Sequence, residues 1–402
     1  MDQSRIASRI KRIKPSPSTF AADRANELKR LGRSIISLVV GEPDFDTPAH
    51  IRQAASTAMD QGQTRYTPMA GTIALREAII AKLKRENQLD YGMNEIIATN
   101  GAKSGIYAAF AVTLEPGDEV IVPTPYWVSY TDMAIANDGV PVTIACPEAQ
   151  DYKLLPAQLE AAITGKTRWL LLNAPSNPTG VSYTLAEYRA LADVLLRHPH
   201  VLVMTDDIYE HIRFDNTPNP HFLNAAPELK DRTLAINGVS KTYAMTGFRI
   251  GWVAGPKDLI LGINTFLSQS AGNCCSVSQA AAAAALNGDQ SFIHESVETY
   301  QKRRDRTAAH INAIKGLSCR VPKGAFYLYV NCQDVIGKTT PDGTVLATDD
   351  DLVIYLLDSV GVAVVAGTAY GLSPYFRMSI ATSLDTLDQG TALIAQAIAQ
   401  LR

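Results

Sequence analysis

The chain has 402 residues, 46% of them apolar, and a formal net charge of -3. This length and apolar content are typical of a globular protein of two or three domains with a large core. The charge argues against a nucleic-acid partner, because such proteins usually carry a basic patch, and no apolar run approaches the roughly 20 residues that a membrane helix needs.

The first 15 residues are basic and carry Ile6, Ile10 and Ile13 at helical spacing. We interpret them as an amphipathic arm that packs on a partner subunit, with a transit peptide as the alternative. The five cysteines form no CxxC pair and no disulfide framework. A reducing compartment, the cytoplasm, is therefore expected.

A helical pattern at 18–31 and an apolar strand at 35–40 precede the segment Gly41-Glu42-Pro43-Asp44-Phe45-Asp46-Thr47-Pro48. A glycine followed so soon by proline predicts that the strand ends there in a tight loop. A second loop, at 64–71, contains Tyr66 and precedes a helix at 73–86. A tyrosine at such a position commonly packs against neighbouring side chains, and this is the simplest role for Tyr66.

A turn of small residues at 100–105 follows a strand at 95–99 and opens a helix that runs through Leu114. Gly101 and Ala102 leave the backbone N–H groups of this helix start open to an anion, which the helix dipole also favours. This position after a strand favours a phosphate seat. Lys103 follows directly.

Strands and helices then alternate from 119 to 204, which predicts a mostly parallel sheet covered on both faces. Ligands of such sheets gather outside the carboxyl ends of the strands. Trp127 and the loop 173–180 fall at such ends, and Asp206 ends the strand at 201–204. Core packing is the alternative for Trp127, and on sequence alone Asp207 competes with Asp206 for a carboxylate role.

Lys241 stands between two apolar runs, 232–237 and 250–254, and so at the mouth of a strand. Partial burial disfavours its ammonium form and frees the amine to attack a carbonyl. Ser240 and Arg249 supply a hydroxyl and a planar cation that suit a phosphate ester. The stretch would hold an aldehyde that carries a phosphate.

Beyond a helix at 256–268, an alanine-rich helix and a long helix at 292–315, short strands mix with helices, which predicts a smaller α+β domain. Arg377 lies in one of these strands, at 376–380. Its guanidinium can hold a carboxylate by two parallel hydrogen bonds.

Three motifs, GEPDFDTP at 41–48, N-x-P-x-N-P-T-G at 173–180 and S-K-x(5)-G-x-R at 240–249, resemble those of the class I/II aminotransferases that use pyridoxal 5'-phosphate. The resemblance runs from Lys14 to Thr382 and is closest to the bacterial Iγ aspartate/prephenate aminotransferases. It implies a fold type I α/β protein whose large domain has a mostly parallel seven-stranded sheet covered by helices, with a smaller α+β domain. The expected divisions are an arm at 1–15, a small domain at 16–49 and 286–402, and a large domain at 50–285.

The resemblance implies that Lys241 carries the cofactor and moves the proton, with Asp206 at the ring nitrogen and Tyr209 at the phenolic oxygen as the other catalytic residues. No metal ion is expected. The implied cofactor-binding residues are Gly101, Ala102, Lys103, Trp127, Asn177, Asp206, Tyr209, Ser240, Lys241, Arg249 and, across a homodimer interface, Tyr66. The implied substrate-binding residues are Gly41, Trp127, Asn177, Arg377, Lys103, Ser16 and Ser18.

The implied reaction is a ping-pong transamination through a Schiff base, most simply from aspartate to 2-oxoglutarate, with glutamate and prephenate as further substrates. An aromatic or other aminotransferase and a β-lyase remain alternatives on the same scaffold. A regulator's effector domain is a non-enzymatic alternative, but it normally carries a DNA-binding domain, for which there is no room before Lys14. Phe248, where relatives commonly have Trp, and the segment 270–276 depart from the family pattern.

Overall fold

The computed structural model of the chain describes residues 5–15 and 17–402, without the side chains of residues 17–20. The strands are β1 (Ile36–Ser37), β2 (Ile96–Thr99), β3 (Glu119–Thr124), β4 (Val140–Ala145), β5 (Thr167–Asn173), β6 (Leu202–Asp206), β7 (Thr233–Gly238), β8 (Gly251–Ala254), β9 (Ser318–Cys319), β10 (Tyr327–Asn331), β11 (Val362–Ala363), β12 (Val365–Ala366) and β13 (Tyr375–Ser379).

Helices cover these strands along the whole described chain. They are α1 (Ser8–Arg12), α2 (Pro17–Arg30), α3 (Ala49–Asp60), α4 (Ile73–Asn87), α5 (Ala102–Thr113), α6 (Ser129–Ala136), α7 (Pro156–Ala162), α8 (Leu185–Leu196), α9 (Phe222–Ala225), α10 (Lys257–Ser268), α11 (Ser276–Asn287), α12 (Ser291–Asn312), α13 (Asp349–Val360) and α14 (Leu384–Ala399).

The central sheet has seven strands in the order β2-β8-β7-β6-β5-β3-β4. Only β8 runs antiparallel to its neighbours in this sheet. All six residues of β7 are buried, as expected for a central strand with both faces covered. The predicted fold class, a mostly parallel seven-stranded sheet between helices, is confirmed.

A second, four-stranded antiparallel sheet has the order β12-β13-β10-β9 and packs with α12 and α13, which in turn contact α14. The short strand β1 pairs in parallel with β11, with Ile36 opposite Val362. This pairing ties the start of the chain to its C-terminal part. It supports the division into 16–49 with 286–402 on one side and 50–285 on the other, which stays a prediction.

The strand expected at 35–40 is shorter than the apolar pattern indicates, because pairing stops after Ser37. Leu38 still donates its N–H to Ala363 of β11, but its carbonyl accepts a hydrogen bond from Ser379 of β13. The carbonyl of Val39 accepts a hydrogen bond from the Arg377 side chain. The chain therefore leaves the strand in order to approach Arg377, just before Gly41.

No helix in residues 5–15 and 17–402 is long and apolar enough to cross a bilayer. All five cysteines are free thiols, and Cys275 is the exposed one among them. Burial raises the pKa of Cys146 to about 11, so that this thiol behaves as a small apolar side chain.

Candidate active site

A cavity of about 310 Å³ opens at the carboxyl edge of the central sheet, on the side that faces β13. The register places Asn173 opposite Asp206, and Asp206 opposite Ile236, so that the loops after β5 and β6 start level with one another, and β7 continues two residues further, to Gly238. Among the predicted site residues, those that line the cavity are Gly41, Ala102, Lys103, Trp127, Asn177, Asp206, Tyr209, Ser240, Lys241, Arg249 and Arg377.

Lys241 lies three residues beyond the end of β7, and its Nζ donates a hydrogen bond to the Gly41 carbonyl at 2.5 Å. Burial lowers the pKa of this lysine to about 8, with Glu42 acting in the opposite direction and Arg249 adding to the decrease. An amine with this pKa is partly neutral near pH 7.5. It can act as a nucleophile and as a base.

Asp206 ends β6 and is only 3% exposed. Tyr130 donates its hydroxyl to Asp206 Oδ2 at 2.6 Å, and the Ile208 N–H lies 3.2 Å from Oδ1. Burial raises the pKa of Asp206 to about 6, and the hydrogen bond from Tyr130 opposes that increase. A carboxylate so placed favours a positively charged donor in the cavity.

The neighbouring Asp207 turns away from the cavity. Its Oδ2 accepts a hydrogen bond from the Thr205 hydroxyl at 2.7 Å and lies 3.3 Å from His221 Nε2. Of the two carboxylates that competed on sequence alone, the structure therefore places Asp206 in the cavity.

Two cations stand at the start of α5. Arg249, at φ 55°, donates to the carbonyl of Thr246, and Gly101, at φ +84°, lies against its guanidinium. A Cβ at Gly101 would come within 2.4 Å of Arg249 Nη2, so that only glycine permits this approach. Lys103 Nζ lies 5.1 Å from the centre of the Trp127 ring.

Burial and the charge of Arg249 lower the pKa of Lys103. Within the described part of the chain, neither cation has a carboxylate in salt-bridge contact. The helix start, Arg249 and Lys103 together form a positively charged corner that suits an anion.

Arg377, in β13, is 2% exposed and stands apart from this corner. It donates to the Val39 carbonyl at 2.5 Å and to Asn177 Oδ1 at 3.1 Å, and its buried Nε has no hydrogen-bond partner among the residues that the structure describes. Both of these hydrogen-bond acceptors are neutral, and burying a cation without a counter-charge costs free energy. A carboxylate ligand would relieve that cost.

Because Asn177 Oδ1 accepts from Arg377, its amide nitrogen is left to donate into the cavity. The hydroxyl of Tyr209 lies 2.8 Å from that of Tyr327. Both tyrosines are buried, and both line the cavity.

Sequence reasoning missed several polar residues that line this cavity, among them Tyr130, Asn173 and Tyr327. Asn173 opens the motif at 173–180, and its side chain bonds the Asn177 N–H and the Asp206 carbonyl, so that the motif itself was the available signal. Tyr327 lies in an apolar run and looks like a core position, and Tyr130 lies in no motif that would single it out. The remaining lining residues not foreseen are Val128, Ser129, Ile208 and Thr246.

Two of the predicted site residues that the structure fully describes do not line the cavity in this chain. Gly101 lies against the Arg249 guanidinium. Tyr66 is 97% exposed and lies outside the cavity. Ser16 lies outside the described residues, as does the side chain of Ser18.

Away from the cavity, Glu86, Glu210 and His211 bring potential metal ligands within 4.8 Å of one another. The buried Lys82 contacts Glu210 and lies 3.6 Å from Glu86. Its charge, together with Glu210 bonds from Asn87 and Asn237, already satisfies this cluster. We assign it a structural role.

The family model for aminotransferase class I and II matches residues 33–394. An aspartate aminotransferase of Rhizobium meliloti (strain 1021) is 50% identical over 395 residues, 98% of this chain and 96% of the relative. An aspartate/prephenate aminotransferase of Cereibacter sphaeroides is 47% identical, with 97% of each chain covered. The crystal structure of an aspartate aminotransferase from Rhizobium meliloti superposes with a TM-score of 0.97 at 49% identity, over 99% of this chain and 100% of the other.

Proposed function

This chain belongs to the class I and II aminotransferases, which depend on pyridoxal phosphate, and we propose that it transfers the amino group of L-aspartate to 2-oxoglutarate. The observation that carries the proposal is one cavity that is lined by Lys241 and by two cations from different elements, Arg377 of β13 and Lys103 of α5. A dicarboxylic amino acid has one carboxylate for each. The name of the Cereibacter sphaeroides relative supports prephenate as a second oxo-acid substrate.

The residues of the cavity fit the cofactor. Arg249 and the start of α5 offer a phosphate a cationic seat without a competing carboxylate among the described residues. Asp206 offers a buried anion to a protonated ring nitrogen, and Trp127 offers an aromatic face. We assign phosphate binding to Gly101, Ala102, Ser240 and Arg249.

When bound, pyridoxal phosphate supplies an aldehyde that combines with amino groups and a ring that draws electrons from the substrate α-carbon. Lys241 is the residue that binds this aldehyde in the resting enzyme. Once released from the aldehyde, the neutral amine of Lys241 would take the α-proton as general base, and the resulting ammonium group would then donate that proton as general acid. Its lowered pKa makes the neutral form available at physiological pH.

Asp206 holds the proton at the ring nitrogen by a charge-assisted hydrogen bond. Tyr130 supports this role, because its donated hydrogen bond stabilises the ionised carboxylate against burial. On the opposite side, Tyr209 and the Asn177 amide nitrogen are the donors for the phenolic oxygen. These residues adjust the charge of the ring while Lys241 moves the proton.

Arg377 binds the substrate α-carboxylate, and the Gly41 backbone lies beside it at the end of the segment that Arg377 already anchors. Lys103 binds the distal carboxylate and so favours acidic donors. Ser16 and Ser18 are proposed to complete this side from the N-terminal segment.

The active protein is proposed to be a cytoplasmic homodimer in which Tyr66 reaches the phosphate seat of the partner. Support comes from the exposure of this large aromatic on a loop that is otherwise held firmly. Gln279 and Asn273 both donate to the Thr67 hydroxyl, next to Tyr66. An ordered loop that exposes a tyrosine suits an intersubunit contact.

The test is a transamination assay with purified protein, pyridoxal phosphate, aspartate and 2-oxoglutarate. Oxaloacetate and glutamate should form in equal amounts. Release of ammonia and a 2-oxo acid without any acceptor would instead indicate a β-lyase, and faster turnover of phenylalanine than of aspartate would contradict the acidic donor.

A further inference from the structure

Tyr327, on β10, contacts both sides of the cavity. It is 1% exposed, its hydroxyl lies 2.8 Å from the Tyr209 hydroxyl, and its ring centre lies 4.3 Å from the Arg377 guanidinium carbon. The strand register explains this double contact. Arg377 stands opposite Tyr329, and Tyr327 is the diagonal neighbour on the same face of the sheet.

The space around the Tyr327 hydroxyl is fixed. A Cβ at Gly41 would lie 2.4 Å from this oxygen, so that the glycine is needed to seat the tyrosine. Phe326 and Tyr209 enclose it further, with ring centres 4.8 and 5.9 Å from that of Tyr327. This close packing restricts the positions that the Tyr327 hydroxyl can adopt.

The two facing hydroxyls share one hydrogen between them. Tyr209 can give its own hydrogen to another acceptor only when Tyr327 donates to Tyr209. A donor that itself accepts a hydrogen bond is also strengthened, because chains of hydrogen bonds polarise one another.

We propose that Tyr327 is a positioning residue for both functional sides of the cavity. Its hydroxyl donates to Tyr209 and directs the Tyr209 hydrogen to the phenolic oxygen of the cofactor, while its ring face holds the Arg377 guanidinium for the substrate carboxylate. This inference rests on the proposed function, to which it adds a residue that links ring chemistry to substrate binding.

Two variants separate the two contributions. Tyr327→Phe removes the hydroxyl and keeps the ring, whereas Tyr327→Leu removes both. Tyr329→Phe is the matched control, because Tyr329 is a buried tyrosine of the same strand whose hydroxyl bonds the Leu372 carbonyl outside the cavity. All proteins are studied as holoenzymes, with circular dichroism to confirm folding.

The first measurement is a pH titration of the absorbance of the bound cofactor. Tyr209 donation stabilises negative charge on the phenolic oxygen and hence the deprotonated cofactor. Tyr327→Phe should therefore move the midpoint to higher pH by roughly half a unit. Tyr329→Phe should leave it unchanged.

The second measurement is the Kd of maleate, an unreactive dicarboxylate. Tyr327→Leu should weaken binding about tenfold through loss of the cation–π contact, while Tyr327→Phe should stay within about twofold of the wild type. A midpoint of Tyr327→Phe equal to that of the wild type, or maleate affinities that fall equally in both variants, would overturn the inference. A wild-type protein that binds neither cofactor nor maleate would instead refute the proposed function.

Discussion

The carboxyl edge of the central sheet and the strand pair β10–β13 form opposite walls of the same cavity, and they differ in charge. At the sheet edge, Lys241 and Asp206 have opposite charges that each influence the pKa of the other. On β13, the buried Arg377 donates its hydrogen bonds only to neutral acceptors within the described residues. The first wall suits proton transfer, in which groups change their charge, and the second suits recognition by a permanent cation.

The largest effect is expected from a substitution that removes the chemistry at the sheet edge and leaves the β13 wall unchanged. Lys241→Ala should reduce kcat by at least about 10⁴-fold, because it removes both nucleophile and base. Its affinity for maleate should stay within a few-fold of the wild type, because Arg377 is untouched. Steady-state kinetics and maleate titration check both halves, and a loss of maleate binding as large as the loss of kcat would contradict the separation.

Asp206→Ala should lower kcat by roughly a thousandfold, since the ring nitrogen loses the carboxylate that keeps it protonated. Asp207→Ala is the matched control, because the adjacent carboxylate is turned toward Thr205 and His221. It should retain activity within about tenfold. The reverse order of the two variants would show that the wrong aspartate has been assigned.

Lys103→Met tests whether Lys103 recognises the distal carboxylate of acidic substrates. Losing one charged hydrogen bond should lower kcat/KM for aspartate about ten- to a hundredfold. The value for alanine, which has no distal carboxylate, should change much less. Equal losses for both donors would show that Lys103 does not select the substrate.

A smaller, graded effect follows from the Lys241 pKa of about 8 in the protein without cofactor. Only the neutral amine combines with an aldehyde, so the rate of cofactor uptake should rise with pH and level off above about pH 8. Below that midpoint it should fall about tenfold per pH unit. Stopped-flow absorbance of the cofactor-free protein measures this, and a midpoint near that of a free lysine would contradict the depressed pKa.

The sequence predicts the functional residues of one wall better than those of the other, because the two sets occupy different positions relative to the strands. Lys241 follows a strand and Asp206 ends one, where a polar residue after an apolar run stands out, and the loops of parallel strands converge at one edge. Tyr327 lies inside an apolar strand, and its role depends on a diagonal contact with Arg377 across a pairing that no local pattern reveals. Tyr130 was missed for the same reason, because its partner Asp206 is 76 residues away.

The short strand β1 shows a similar limit. The apolar run at 35–40 correctly indicated extended chain, but its end was set by hydrogen bonds from Ser379 and Arg377, more than 300 residues later. Such long-range competition overrides local propensity.

Chemical trapping of the cofactor tests most directly the claim that Lys241 performs the chemistry of this cavity. The holoenzyme is reduced with borohydride and digested, and its peptides are mapped by mass spectrometry. The peptide that contains Lys241 should carry the reduced cofactor, and Lys241→Ala should carry none at this peptide. Label on Lys103 or on any other lysine of the wild-type protein would contradict the account.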